Sequence, residues 1–81
     1  MQCRNFIVGN IKNVIQKGSV VDLIGEGYSS VELWEGQEVF YINNHGWLYN
    51  EIFKRYDEEK QMLIFENTGF DFRKIIFIGT F

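Results

Sequence analysis

The stretch SVELWEGQEVFYI, Ser30 to Ile42, sets two alternating apolar runs on either side of a short turn, and its reading decides the fold. Successive side chains leave a strand on opposite faces, so a period of two marks a half-buried strand. If Ser30 to Trp34 and Glu38 to Ile42 pair as a hairpin across Glu35, Gly36 and Gln37, then Val31 and Leu33 meet Val39 and Tyr41 on a face fit for the core. The other face then carries Glu32, Trp34, Glu38 and Phe40, two carboxylates interleaved with two large rings.

The same chemistry recurs along the chain. SVVDLIG (Ser19 to Gly25), QMLIFE (Gln61 to Glu66) and RKIIFIGTF (Arg73 to Phe81) are rich in β-branched and aromatic residues. GEGYS, EGQ, NNHG, DEEK and NTGFD lie between the runs as turns, and with no proline in the chain they draw on glycine, asparagine and acidic residues. Two segments fit either helix or strand. In Ile7 to Ile15, Ile7, Ile11, Val14 and Ile15 match one helical face, while Gly9, Asn10 and Asn13 are weak helix formers. In Leu48 to Tyr56 a helical face is also present, but the following apolar run needs a hairpin partner close in sequence, which favours two strands across DEEK. The sequence therefore predicts an all-β domain with room for one short helix, built as a small antiparallel sheet or a partly closed barrel. The analogy to SH3-like and OB-like barrels is one of architecture and carries no function.

Residues 1–81 can form only one domain, because a second core would have too little surface to bury. Hydrophobic residues make up 46% of the chain and charged residues 23%, which places it among ordered globular domains. Cys3 is the single cysteine, so no internal disulfide forms, and a reducing, cytoplasmic setting is expected. The first residues lack a secretory apolar run, and the longest apolar run, Ile75 to Ile78, is far short of the ~20 residues that span a bilayer.

The inventory of reactive groups argues against an enzyme. Nucleophilic catalysis needs a base beside a serine, threonine or cysteine and a third group to orient it. His45 is the only histidine, no glycine elbow frames Ser19, Ser29, Ser30, Thr68 or Thr80, and eleven acidic residues single out no carboxylate pair. Gly25-Glu26-Gly27 completes neither phosphate-binding fingerprint. Asp57 to Glu59 reads as a solvated hairpin tip rather than a cation site. His45, between Asn44 and Gly46, reads as a turn residue in the ring-rich stretch FYINNHGWLYNEIF. No cofactor and no metal are expected.

Charge is distributed more tellingly than any motif. Between Lys17 and Lys54 there is no lysine or arginine, yet six acidic residues occur there, so the net charge of −3 combines a −6 middle with +3 flanks. Glu32, Trp34, Glu38 and Phe40 lie within that acidic middle. They are the expected centre of a surface for a basic protein partner, such as a nucleic-acid-binding enzyme. In general build the chain is similar to the small inhibitors encoded by phages and other mobile elements, some of which occupy the nucleic-acid groove of a host enzyme. That likeness is compositional and covers no alignable motif. The alternative is direct nucleic-acid binding through the basic flanks, with Lys54, Arg55, Lys60, Arg73 and Lys74 contacting phosphates. A small-ligand pocket lined by Tyr41, Trp47 and Tyr49 ranks third. The last strand, apolar on both faces, must be central in the sheet or covered by a partner, which makes it the expected route to a homodimer.

Overall fold

The structure is a computed structural model that describes residues 5–27 and 29–81; Cys3 lies outside the described residues. The strands, in chain order, are β1 (Asn5–Val8), β2 (Asn13–Lys17), β3 (Val20–Ile24), β4 (Ser30–Trp34), β5 (Glu38–Asn43), β6 (Leu48–Asp57), β7 (Met62–Phe65), β8 (Gly69–Asp71) and β9 (Ile75–Thr80). A single 3-10 turn over Phe72–Lys74 is the only helical element among the described residues. All pairings are antiparallel, in a six-stranded sheet of order β1-β9-β5-β6-β7-β8 and a three-stranded sheet of order β2-β3-β4.

The alternation in Ser30 to Ile42 holds, but the pairing differs from the expected hairpin. Val31, Leu33, Val39 and Tyr41 are all buried, while β4 pairs with β3, and β5 pairs with β6 and β9. The turn itself forms, with the Gln37 N–H donating to the Trp34 carbonyl at 3.2 Å. It is also tied to β6: the Gly36 N–H donates to the Phe53 carbonyl and the Phe53 N–H to the Gln37 carbonyl, each at 2.9 Å. Gly36 adopts a φ of 91°, a left-handed conformation that glycine takes without steric cost. Those bonds swing β5 out of the plane of β4, so the chain crosses from one sheet to the other at this corner.

The first ambiguous segment is strand. Gly9, at a φ of 100°, and Asn10 break the helical reading, and the segment splits into β1 and β2 around the buried Ile11. The β-branched Ile7 and Val14 then face inward, one from each sheet. The second ambiguous segment is the ten-residue β6, which pairs with β5 through its first half and β7 through its second, the latter across the expected acidic turn.

One core joins both sheets. Ile7, Val39, Tyr41, Phe53 and Ile78 of the large sheet pack with Val21, Leu23, Val31 and Leu33 of the small one. The large sheet curls, bringing Phe65 of β7 and Phe70 of β8 over Tyr41 of β5, with ring centroids 4.5 and 5.5 Å away. β1 and β4, at the edges of the two sheets, lie against each other without a shared ladder, so no closed barrel is evident. β9 sits between β1 and β5, which accounts for its apolar residues on both faces. No helix among the described residues is long and apolar enough to cross a membrane.

Candidate functional site

The corner at Gly36 divides the acidic and aromatic set between the sheets. Glu32 and Trp34 stand on the outer face of the small sheet, opposite Asp22 and Val20 of β3. Glu38 and Phe40 stand on the outer face of the large sheet, where Glu38 pairs with Ile52, and Phe40 with Asn50 on one side and Gly79 on the other. Alternation places all four on outer faces, with Glu32, Trp34 and Glu38 exposed and Phe40 half-buried against Phe77, but which strands become neighbours depends on long-range pairing that alternation does not encode.

The outer face of the large sheet builds into a contiguous apolar surface. Two rows cross β1, β9, β5 and β6 in register: Phe6, Gly79, Phe40 and Asn50, then Val8, Phe77, Ile42 and Leu48. Neither row contains a charged residue. Val8 is 68% exposed and Leu48 61%, and Phe77 lies 6.1 Å from both Phe6, which stacks on it, and Phe40, which meets it edge-on. Gly79 is buried beneath these rings. A register shift opposite Ile42 and Asn43 leaves Ile76 without a partner on β5, so Ile76 and Phe77 both reach the outer surface.

The inner face holds a polar knot instead. Tyr41 is fully buried, and its hydroxyl donates to Glu51 Oε2 at 2.7 Å and lies 3.1 Å from Thr68 Oγ1. Thr68 Oγ1 also donates to Glu51, and the Asn67 N–H donates to Glu51 Oε1 at 3.1 Å. Burial works against the charge on Glu51, but the bonds from Thr68, Tyr41 and Asn67 outweigh it and hold the carboxyl below its ordinary range. Burial pushes the Tyr41 hydroxyl well above its ordinary value, and the neighbouring Glu51 carboxylate adds to the rise. The knot fastens β5 and β6 to the β7–β8 loop.

Tyr49 stacks on Tyr41 at 5.0 Å within the core, whereas Trp47 is 66% exposed on the hairpin turn, so the three rings proposed for a pocket are not assembled into one. That turn is the NNHG turn read from the sequence: Asn43 Oδ1 accepts the N–H groups of His45 and Trp47 at 3.0 and 2.9 Å. His45 is exposed on it.

The five basic residues separate into groups. A second register shift, between Phe53 and Arg55, leaves Lys54 unpaired with β7, and both Lys54 and Arg55 become exposed. Lys60 lies on the β6–β7 turn, where the neighbouring Gln61 carbonyl accepts from the Phe72 N–H. Arg73 is taken up by Asp71, with bonds of 2.9 and 2.6 Å that draw the Asp71 carboxyl down to about 2. Lys74 follows Arg73 in the same 3-10 turn and adds to the pull on Asp71, while its carbonyl accepts from the Asn44 N–H. Beside Lys54 and Arg55 a groove of about 430 Å³ opens at the seam of the sheets, its lining shared with Val21 and Phe53 of the core and with Gln16, Ser19, Trp34 and Glu35. Sequence reasoning missed this groove, because its walls combine β2, β3 and β4 with β6, which lies far from them in sequence. Among the described residues no group of three or more histidine, cysteine, aspartate or glutamate side chains is placed to hold a metal ion. Comparison with protein-family models, with curated proteins and with solved structures found no match.

Proposed function

We propose that this chain is a non-enzymatic protein-interaction module that docks a partner protein on the outer face of its large sheet. The observation that carries the reading is the uncharged apolar surface spanning β1, β9, β5 and β6, with Phe77 at the centre of a three-ring cluster. Monomeric proteins rarely expose contiguous apolar patches beyond a few hundred Å², and larger ones mark interaction sites. Aromatic side chains at the centre of such a patch supply most of the binding energy, while a polar rim excludes water. Phe40 and Glu38 belong to this face and its border; Glu32 and Trp34 lie on the other sheet. Of the acidic middle, Glu38 stands at the border of this face, so a partner with an apolar patch and a lysine or arginine beside it, as on a nucleic-acid-binding protein, fits there.

The test uses Val8→Lys combined with Leu48→Lys. Both side chains are mostly in solvent, so the double variant keeps its core and its melting temperature. Wild-type and variant protein, immobilised at equal density, are exposed to extract from the native source, and sedimentation of the purified chains is measured in parallel. The proposal expects a protein retained by the wild type and lost from the variant. Equal retention by both, or retention by neither, overturns it. A wild-type dimer that the variant cannot form would overturn the proposed partner and assign this face to a second copy of the chain.

A further inference from the structure

We propose that the groove between β4 and β6 binds a nucleotide, with the base stacked on Trp34 and the phosphate held by Lys54 and Arg55. Trp34 is 50% exposed and forms part of the lining, so its ring is accessible from the groove. The register shift in β6 turns two consecutive cations into the same groove, where strict alternation would send one of them to the opposite face. Lys54 forms no ion pair among the described residues, and the only carboxylate partner of Arg55 is Asp57 at the long distance of 3.9 Å. Both cations are therefore available to an incoming anion. Arg55 offers the paired N–H geometry that suits phosphate oxygens, and Lys54 adds a point charge.

The rest of the lining matches the other end of a nucleotide. Val21 and Phe53 border the groove but are almost wholly buried, so the apolar contact offered to a base comes from the exposed ring of Trp34. Glu35, the residue after Trp34, supplies an acceptor for the amino edge of a base, and Gln16 and Ser19 add hydrogen-bonding groups. The volume of about 430 Å³ lies within the range of small-molecule sites. A wholly basic groove would take any polyanion; one aromatic ring, two cations and one carboxylate select a ligand that is planar at one end and anionic at the other.

The shared chemistry is that of a free nucleotide or of one residue in a single strand, and the experiment separates the two. In a Trp47→Phe background Trp34 is the only tryptophan, so its fluorescence reports on the groove alone. Adenosine monophosphate, a short oligoadenylate and inorganic phosphate are titrated separately. Saturable quenching by the mononucleotide, with no tighter binding of the oligomer per nucleotide, identifies a free nucleotide. Binding of the oligomer at least about tenfold more tightly identifies a strand. Lys54→Ala and Arg55→Ala, both at exposed positions, should each weaken binding about tenfold without shifting the melting temperature. Val8→Lys with Leu48→Lys should leave it unchanged, which separates this site from the outer face. Absence of saturable quenching by both nucleotide probes, or quenching that persists undiminished in the Lys54→Ala and Arg55→Ala variants, overturns the proposal.

Discussion

Replacing Tyr41 by phenylalanine tests whether the part-buried knot, which runs from the buried Tyr41 to the exposed Thr68, holds the curl of the large sheet. The ring stays, so its contacts with Phe65 at 4.5 Å and Tyr49 at 5.0 Å are kept, and only the hydroxyl is lost. That hydroxyl donates to an ionised carboxylate, a bond worth about 1.5–3 kcal/mol. Glu51 still accepts from Thr68 and Asn67, so it is not left orphaned, and the lower part of that range, about 1.5–2 kcal/mol, is expected. With a urea slope of about 1 kcal/mol/M for a domain this small, the midpoint should fall by roughly 1.5–2 M at unchanged slope. The folded protein holds the Glu51 carboxyl below its ordinary value of 4.5. Its contribution is therefore present above that value and is lost as pH falls through the lower folded value. Tyr41→Phe removes one cause of the lowering, so the wild type and variant should converge on acidification. The measurement is urea unfolding followed by circular dichroism at neutral pH and at several acidic values. A midpoint change below about 0.5 M, or a gap that stays constant through the acid range, would refute the account of the knot.

Two further substitutions probe the turns that set the strands. A Cβ built on Gly25 would sit 2.5 Å from both Ile7 Cγ2 and Ser29 Oγ, so Gly25→Ala should destabilise the domain by about 1–3 kcal/mol in a thermal melt; an unchanged melt would show that the β1 contact with the small sheet is loose. Asn43→Ala removes the acceptor for the His45 and Trp47 N–H groups, and a loss of about 1 kcal/mol is expected because water reaches the turn in its place. No loss would mean that the β5–β6 hairpin does not depend on this side chain.

Strand identity was legible wherever alternation and turn chemistry agreed. Val31, Leu33, Val39 and Tyr41 show it, since all four are buried as their parity requires. The NNHG turn and the acidic β6–β7 turn follow from residue types that tolerate tight backbone. Partner choice was not legible. The turn at Gly36 has the length of a hairpin connection, yet the backbone of Phe53, sixteen or more residues away, claims its hydrogen bonds and sends β5 to a different sheet. The helical pattern of Ile7, Ile11, Val14 and Ile15 was equally ambiguous by itself, and only the left-handed Gly9 and the pairing of β1 with the last strand decide it. The Tyr41–Glu51–Thr68 knot joins residues on three separate segments, so no local pattern announced it.

Both surfaces to which we assign a role include a point where strict alternation fails. In β9 the shift at Ile76 brings two consecutive apolar side chains outward, and in β6 the shift at Lys54 brings two consecutive cations outward. A bulge disturbs the ladder and leaves an unpaired residue, which favours neither strand on stability grounds alone. The residues that occupy these positions are suited to what each surface lacks: apolar area at the centre of a sheet face, and positive charge beside an exposed tryptophan in a chain whose middle is acidic. A bulge serving only to curl the sheet could carry any solvent-compatible residue. An exposed isoleucine beside a half-buried phenylalanine has no such justification, because it leaves apolar area hydrated that a polar pair would not. That unfavourable exposure would be relieved if the face were covered, which ties the local backbone irregularity to the proposed docking through the same two residues.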